Sequence, residues 1–296
     1  MKNLLSNIGL LSLIFVAYLL FTSGNNTIGI TPDGLPMVRQ VPMPSSINFL
    51  GEAVPLENRY ARESIDYELT AIVYRHAYTS MIMKFGNRWL PIIEAELRKQ
   101  GIHDDLKYIA IAESGLENTT SPKDAKGVWQ FLQGTATQYG LEVSDDVDER
   151  YHLEKATVAA CKYFKDAHKK FNNWAMAAAS YNCGMGALQD EIGKQQTWNY
   201  YDMNLNYETS RYVYKSIAYK QVFTNPQLYG YYLNPADLYP SIPTTEKTVT
   251  AIDDIATFAQ ENKSTYREIK LLNPWLRKHY LRAKPGKTYT VKVPIR

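Results

Sequence analysis

The chain has 296 residues, enough for one large domain with a small companion or for two of medium size. Its 33 Lys and Arg stand against 30 Asp and Glu, and a net charge of +3 is too weak a bias for an electrostatic nucleic-acid footprint. The 23 tyrosines are amphipathic rings suited to stacking on sugars or lying near an interface, though many belong in a core.

Met1-Lys2 precedes an apolar run from Ile8 to Phe21, and polar residues follow from Thr22 to Asn26. A basic residue, a short apolar core and small residues after it describe an export leader over residues 1–24. The run is shorter than the roughly 20 residues of a full span, but Leu4 and Leu5 can extend it. The segment is therefore either removed or kept as a membrane anchor, and the lack of a following cysteine disfavours a lipid anchor. Residues 25–56, rich in Pro, Gly, Ser and Asn, read as a tether that lifts the body off a membrane, partly draped over the domain.

A helical extension is expected over 57–100. One helix runs from Val54 to Met83 and another from Asn87 to Gln100, with Pro91 in the first turn and Gly101 at the end. Beyond the helix that ends at Gly115 comes a polar loop, Glu117 to Lys126, then a short helix, Val128 to Tyr139, closed by Gly140. Asp145 to Glu149 lacks the glycine and spacing of a calcium loop and reads as solvated. Leu153–Phe171 turns Val158, Cys161, Tyr163 and Phe164 inward and a row of lysines outward. Trp174–Cys183 is the next helix, with Gly184 as its left-handed stop, and Glu208–Phe223 the last long one.

The body over 101–235 is thus mainly α, and a Tyr- and Pro-rich linker (236–246) leads to a different pattern. In 247–296, strand-like Thr248–Thr250 and Thr288–Val293 flank helical Ile252–Gln260 and Thr265–Leu272, a small βααβ unit. Cys161 and Cys183 sit on separate helices and read as two small buried thiols rather than a pair. The five histidines show no HExxH and the cysteines no CxxC, so neither a metal nor a cofactor is expected.

The stretch from Asp104 to Gly115 organises the chain. Asp104 suits an N-cap, Asp105 the positive end of the dipole, and Gly115 the stop. Leu106, Ile109, Ala110 and Glu113 share one face at the i, i+3, i+4, i+7 spacing, which aims a carboxyl along the stripe that faces the core. Lost hydration and the negative end of its own helix both favour the protonated form, as a general acid near neutral pH requires. Taken alone, the helix is read more simply as ending in a Glu that faces solvent or pairs with a Lys or Arg. Three later segments favour the acid: Gly127-Val128-Trp129-Gln130-Phe131, Ser180-Tyr181-Asn182-Cys183-Gly184 and Glu208-Thr209-Ser210-Arg211-Tyr212. Together they describe a cleft between helices, with Glu113 as acid, Gln130, Asn182 and Tyr212 as polar arms, and Trp129 and Tyr181 as apolar walls.

In order and content these segments resemble the lysozyme-like lytic transglycosylases of family 1, particularly the membrane-bound murein transglycosylase D type, over about Ile102 to Tyr231. The resemblance implies a lysozyme-like helical domain in which Glu113 is the sole catalytic acid and base. Ser114, Trp129, Gln130, Tyr181, Asn182 and Tyr212 are then the substrate-binding residues. Here Val128 stands for the family's Leu, Trp129 for its Met and Ser180 for its Ala. The implied reaction cuts the MurNAc–GlcNAc bond of peptidoglycan strands without water and leaves 1,6-anhydro ends. Glu117, Asp124 or Glu208 as a second carboxylate would instead allow hydrolysis, and a wall-binding scaffold without catalysis is the third reading. The C-terminal unit resembles a LysM module whose Gly-Asp-Thr/Ser-Leu opening has become Ala251-Ile252-Asp253-Asp254-Ile255. The implied setting is the periplasmic face of the cell envelope, with the N-terminal segment at the membrane.

Overall fold

The computed structural model describes residues 39–296; the expected leader and the expected tether up to residue 38 lie outside the described residues. The first elements are two short strands, β1 (Asn48–Phe49) and β2 (Glu52–Ala53), paired antiparallel through Leu50 and Gly51, both at positive φ. The helices that follow are α1 (Arg59–Tyr74), α2 (His76–Lys99), α3 (Leu106–Ser114), α4 (Gln133–Gln138), α5 (Leu153–Phe171), α6 (Trp174–Cys183), α7 (Met185–Gln195) and α8 (Tyr207–Thr224). Asparagine side chains open three of them: Asn58 accepts from the Tyr60 and Ala61 amides, Asn173 from Met176, and Asn206 from Thr209.

α3 is the hub of this bundle. Leu106, Tyr108, Ile109, Ala110, Ile111 and Ala112 are all buried, so the helix is covered on every side rather than along one stripe. It packs on α8, which also packs against α1 and α6. The expected Asp104 cap is corrected. No side chain caps α3; Asp105 instead receives the Leu50 amide at 2.9 Å and the Lys220 ammonium at 2.7 Å. That buried carboxylate ties the hairpin to α3 and α8, and Glu52 of the hairpin accepts from the Trp174 and Ala175 amides at the start of α6. Val41, Ile47, Phe49, Leu50 and Val54 are likewise buried. From residue 41 onward the expected tether therefore contributes side chains to the core.

The single helix expected to Met83 is broken at Arg75, and Pro91 lies inside α2 rather than in a first turn. Helix α7 was not expected at all. The linker is bonded down: Asn87 and Arg88 donate to the Tyr239 and Pro240 carbonyls, and Phe85 meets the Tyr239 ring edge-on.

The C-terminal unit consists of β3 (Thr244–Val249), α9 (Ile255–Glu261), α10 (Tyr266–Leu272) and β4 (Tyr289–Pro294), with β3 and β4 antiparallel in the register Thr244↔Pro294 to Val249↔Tyr289. This is the expected βααβ order. Its core of Ile252, Ile255, Ile269, Trp275, Leu276, Val291 and Val293 also takes in Val147 and Tyr151 from the body. The Asp148 amide donates to the Trp275 carbonyl and the Arg277 amide to that of Asp146, while Lys284 and Lys287 converge on Glu142. Among the described residues, no helix is long and apolar enough to cross a membrane.

Candidate active site

The last turn of α3 leaves carbonyls without intrahelical partners. The Ile111 carbonyl takes the Gly115 amide at 2.8 Å, Ala110 takes the Ser114 hydroxyl at 3.3 Å, and Ala112 takes the Lys215 ammonium at 2.5 Å. Gly115 has φ 63°, and a Cβ there would lie 2.5 Å from the Tyr78 hydroxyl, so both backbone and neighbour demand glycine. These contacts fix the turn that presents Glu113.

Glu113 faces α8. The Tyr212 hydroxyl donates to its Oε1 at 2.6 Å, and the carboxyl takes no other hydrogen bond among the described residues. Burial dominates its electrostatics and lifts its pKa from 4.5 to about 7; the Tyr212 bond and nearby Lys215 pull the other way, and Glu208 adds a little to the rise. Burial equally pushes the Tyr212 hydroxyl far up, with Glu113 reinforcing it, so the tyrosine remains a donor. Burial lowers the pKa of Lys215, which Glu113 and Glu68 partly restore. The result is a carboxyl poised near neutrality, held through one oxygen, at the wall of a cavity of about 390 Å³. Such a group can give a proton and take one back.

The hydrogen bond makes a direct test of the site. Tyr212→Phe removes a contact that favours the carboxylate, so the Glu113 pKa rises further, by about one unit or more. Carbon-detected titration of Glu113 measures this, and an unchanged or lowered pKa would show that the bond does not set the charge.

Of the expected site residues, Glu113, Asn182 and Tyr212 line one cavity. The Asn182 amide donates to Glu208 at 3.2 Å and its oxygen accepts from the Thr209 hydroxyl at 2.7 Å. Tyr181 stands behind them, stacked on Phe164 at 4.8 Å, its hydroxyl donating to the Trp129 carbonyl at 2.7 Å. Gln130, at φ 50°, folds its amide onto the Gly127 carbonyl at 2.7 Å and the Thr119 carbonyl at 3.3 Å.

Two expectations are corrected. Trp129 is fully buried with its indole N–H on the Thr157 hydroxyl at 2.9 Å, so it is core and not a wall of the cleft. Ser114 is buried and donates to the Val128 carbonyl at 2.9 Å, bracing the loop rather than opening to the cavity. The helix expected from Val128 is a loop there because Gly127 (φ 79°) presses against the Arg150 carbonyl, where a Cβ would come within 1.9 Å. Cys161 and Cys183 are free thiols.

Apart from Glu208, weighed above as a second carboxylate, and Arg211 of the same segment, the remaining wall was not foreseen. Glu68, Ala71, Ile72 and Arg75 of the α1 end and Tyr207, Glu208, Arg211, Lys215 and Tyr219 of α8 complete the cavity. Lys215 lies three residues after Tyr212, on the same face, and that spacing could have found it. Glu68 shares a face with Ala61, Ile65 and Ile72, the same pattern that singled out Glu113. It is buried and accepts from Arg211 at 2.5 Å. Glu208 stands at the exposed mouth, kept ionised by Asn182 first and Lys123 second. Glu117 lines a different cavity, and Asp124 pairs with Lys126 at 3.2 Å.

Residues 91–204 match the family described as "Transglycosylase SLT domain", and residues 245–296 that described as "Soluble lytic transglycosylase C-terminal LysM-like domain". Helices α1 and α8, which supply much of the cavity wall, lie outside the first match. The chain is 26% identical over 198 residues to the membrane-bound lytic murein transglycosylase D of Escherichia coli (strain K12), covering 64% of this chain and 43% of that protein. It is 28% identical over 118 residues to a putative tributyltin chloride resistance protein of Alteromonas sp. (strain M-1), covering 39% of this chain and 57% of that one. The chain thus spans about half the length of these relatives. Among solved structures, the 70 kDa soluble lytic transglycosylase SLT70 of Escherichia coli matches 62% of this chain and 32% of its own at 19% identity, with a TM-score of 0.44. Residues 91–204 of the chain are thus similar to a transglycosylase SLT domain, and residues 245–296 to a soluble lytic transglycosylase C-terminal LysM-like domain.

Proposed function

We propose that the protein is a peptidoglycan lytic transglycosylase with Glu113 as its only acid and base. The observation that carries this reading is one carboxyl with a pKa near 7, hydrogen-bonded by Tyr212, at a cavity wall and within the residues that match an SLT domain. In this reading protonated Glu113 gives its proton to the oxygen between MurNAc C1 and GlcNAc as that bond breaks. The N-acetyl oxygen of the same MurNAc stabilises the positive C1. Glu113, now a carboxylate, takes the proton of the C6 hydroxyl while O6 bonds to C1, which closes the 1,6-anhydro ring and restores the acid. Tyr212 favours the carboxylate of the second step, and Lys215 lowers its cost. No cofactor or metal has a part in these steps.

Hydrolysis is the second reading, and Glu208 favours it because that carboxylate stands in the same cavity and is ionised. Mass analysis of products from purified sacculi separates the two: the anhydro product is one water lighter and has no reducing end. Reducing MurNAc ends would assign hydrolysis with Glu208 as second carboxylate, and an absence of products would leave a binding scaffold. The setting we infer is the cell envelope, with the N-terminal segment as leader or anchor facing the body to the wall. An intact cytoplasmic pool on fractionation would overturn it.

A further inference from the structure

The break between α1 and α2 is a built feature. Arg75 leaves the helical region at φ −86°, ψ 52°, and the carbonyls this strands are taken by hydroxyls from elsewhere. Thr79, fully buried, donates to the Ile72 carbonyl at 2.8 Å, and buried Tyr231 donates to Ile72 at 3.2 Å and Val73 at 2.8 Å. The break puts the Arg75 guanidinium over the Tyr78 ring, 4.3 Å from its centroid, and the Tyr78 hydroxyl abuts Gly115 two residues beyond Glu113. Arg75 lines the Glu113 cavity and is exposed. It has no carboxylate within 4.0 Å among the described residues.

The other charged groups of that cavity are already engaged by hydrogen bonds. Glu68 is bound to Arg211 and Glu208 to Lys123, and Glu113 is held by Tyr212 in a site that favours its neutral form. Lys215 is committed to the Ala112 carbonyl. Arg75 is therefore the cation left to act on whatever enters, presenting a planar fork already seated on an aromatic ring. A free cation on the wall of a cleft for glycan selects against an uncharged sugar polymer and for one that carries acid groups.

We propose that Arg75 is a binding residue for a carboxylate carried on the C3 lactyl ether of the substrate's sugar. This rests on the glycan reading above and adds the substrate feature that the cleft reads. The carboxylate has two sources, the stem peptide where it is present and the bare lactyl group where it has been removed. An uncharged β-1,4 polymer of GlcNAc has neither.

The test measures binding with the full chain carrying Glu113→Gln, so that nothing is cut, with and without Arg75→Gln or Arg75→Lys. Three probes are used: glycan fragments bearing stem peptides, fragments bearing bare lactyl groups, and chitooligosaccharides. Arg75→Gln is expected to weaken at least one carboxylate-bearing probe by roughly tenfold and to leave chitooligosaccharide affinity unchanged. Arg75→Lys is expected to fall between, since it keeps the charge and loses the fork. The loss is expected to shrink as salt is raised, and the probe that loses affinity identifies the source. Equal loss on all three probes, or loss on none, overturns the proposal while leaving the glycan reading intact. A chain with Arg75 intact that binds no probe overturns the glycan reading and this proposal with it.

Discussion

Glu113→Gln is expected to remove strand cleavage and to leave glycan binding in place. The amide keeps the shape of the carboxyl and an oxygen for the Tyr212 hydroxyl, but it neither gives nor takes a proton. General acid–base assistance is worth roughly 10²–10⁴-fold. In the proposed mechanism one residue serves both steps, so the loss should reach at least that range in kcat. The wild-type profile of kcat/KM should fall as pH rises through about 7, where the protonated acid is lost. The same shift has a cost in stability. A carboxyl whose pKa is higher folded than unfolded stabilises the fold below its unfolded value, and that contribution disappears as pH rises through about 7. The Gln variant should therefore be the more stable protein at pH 8, by at most about 3 kcal/mol, and match wild type near pH 4. Full activity in the variant would remove Glu113 from the chemistry. Equal stability at both pH values would mean that the carboxyl is solvated.

What could be read from the sequence was local. Helices α5 and α6 fall where expected because their limits are written in neighbouring residues: Asn173 caps α6 and Gly184 stops it. The place of Glu113 at a cavity wall was legible because an acid on an apolar stripe is a local contradiction. The break at Arg75 was not, since the hydroxyls that sustain it come from Thr79 and from Tyr231, far along the chain. The hairpin was hidden because Leu50 takes a left-handed conformation that leucine rarely adopts. Trp129 was misplaced for a related reason: close approach of the Gly127 and Arg150 backbones turns the loop and sends the indole inward. The motif signalled that these residues matter together, but not which of them would face the cavity.

Asp148→Ala is expected to destabilise the fold severely. Asp148 and Arg150 are both buried. The carboxylate receives the guanidinium through two bonds, Nε at 2.9 Å and Nη2 at 2.8 Å, and the Arg150 amide at 3.2 Å. Without Asp148, the cation keeps only longer bonds to the Asp124 and Phe131 carbonyls, at 3.3 and 3.4 Å. Breaking one side of a buried pair typically costs roughly 3–5 kcal/mol, because the remaining charge stays desolvated. The damage should also spread. The Arg150 carbonyl lies close against Gly127, whose loop meets Ser114 through Val128, and the Asp148 amide joins the seam with the C-terminal unit through Trp275. Urea unfolding should therefore show a lower midpoint, with activity falling before the global transition as the loop loosens. Replacing both partners, as in Asp148→Leu with Arg150→Met, leaves no orphaned charge and should recover much of the loss. A single variant that loses less than about 1 kcal/mol would mean that water reaches the guanidinium and that the pair does not hold the loop.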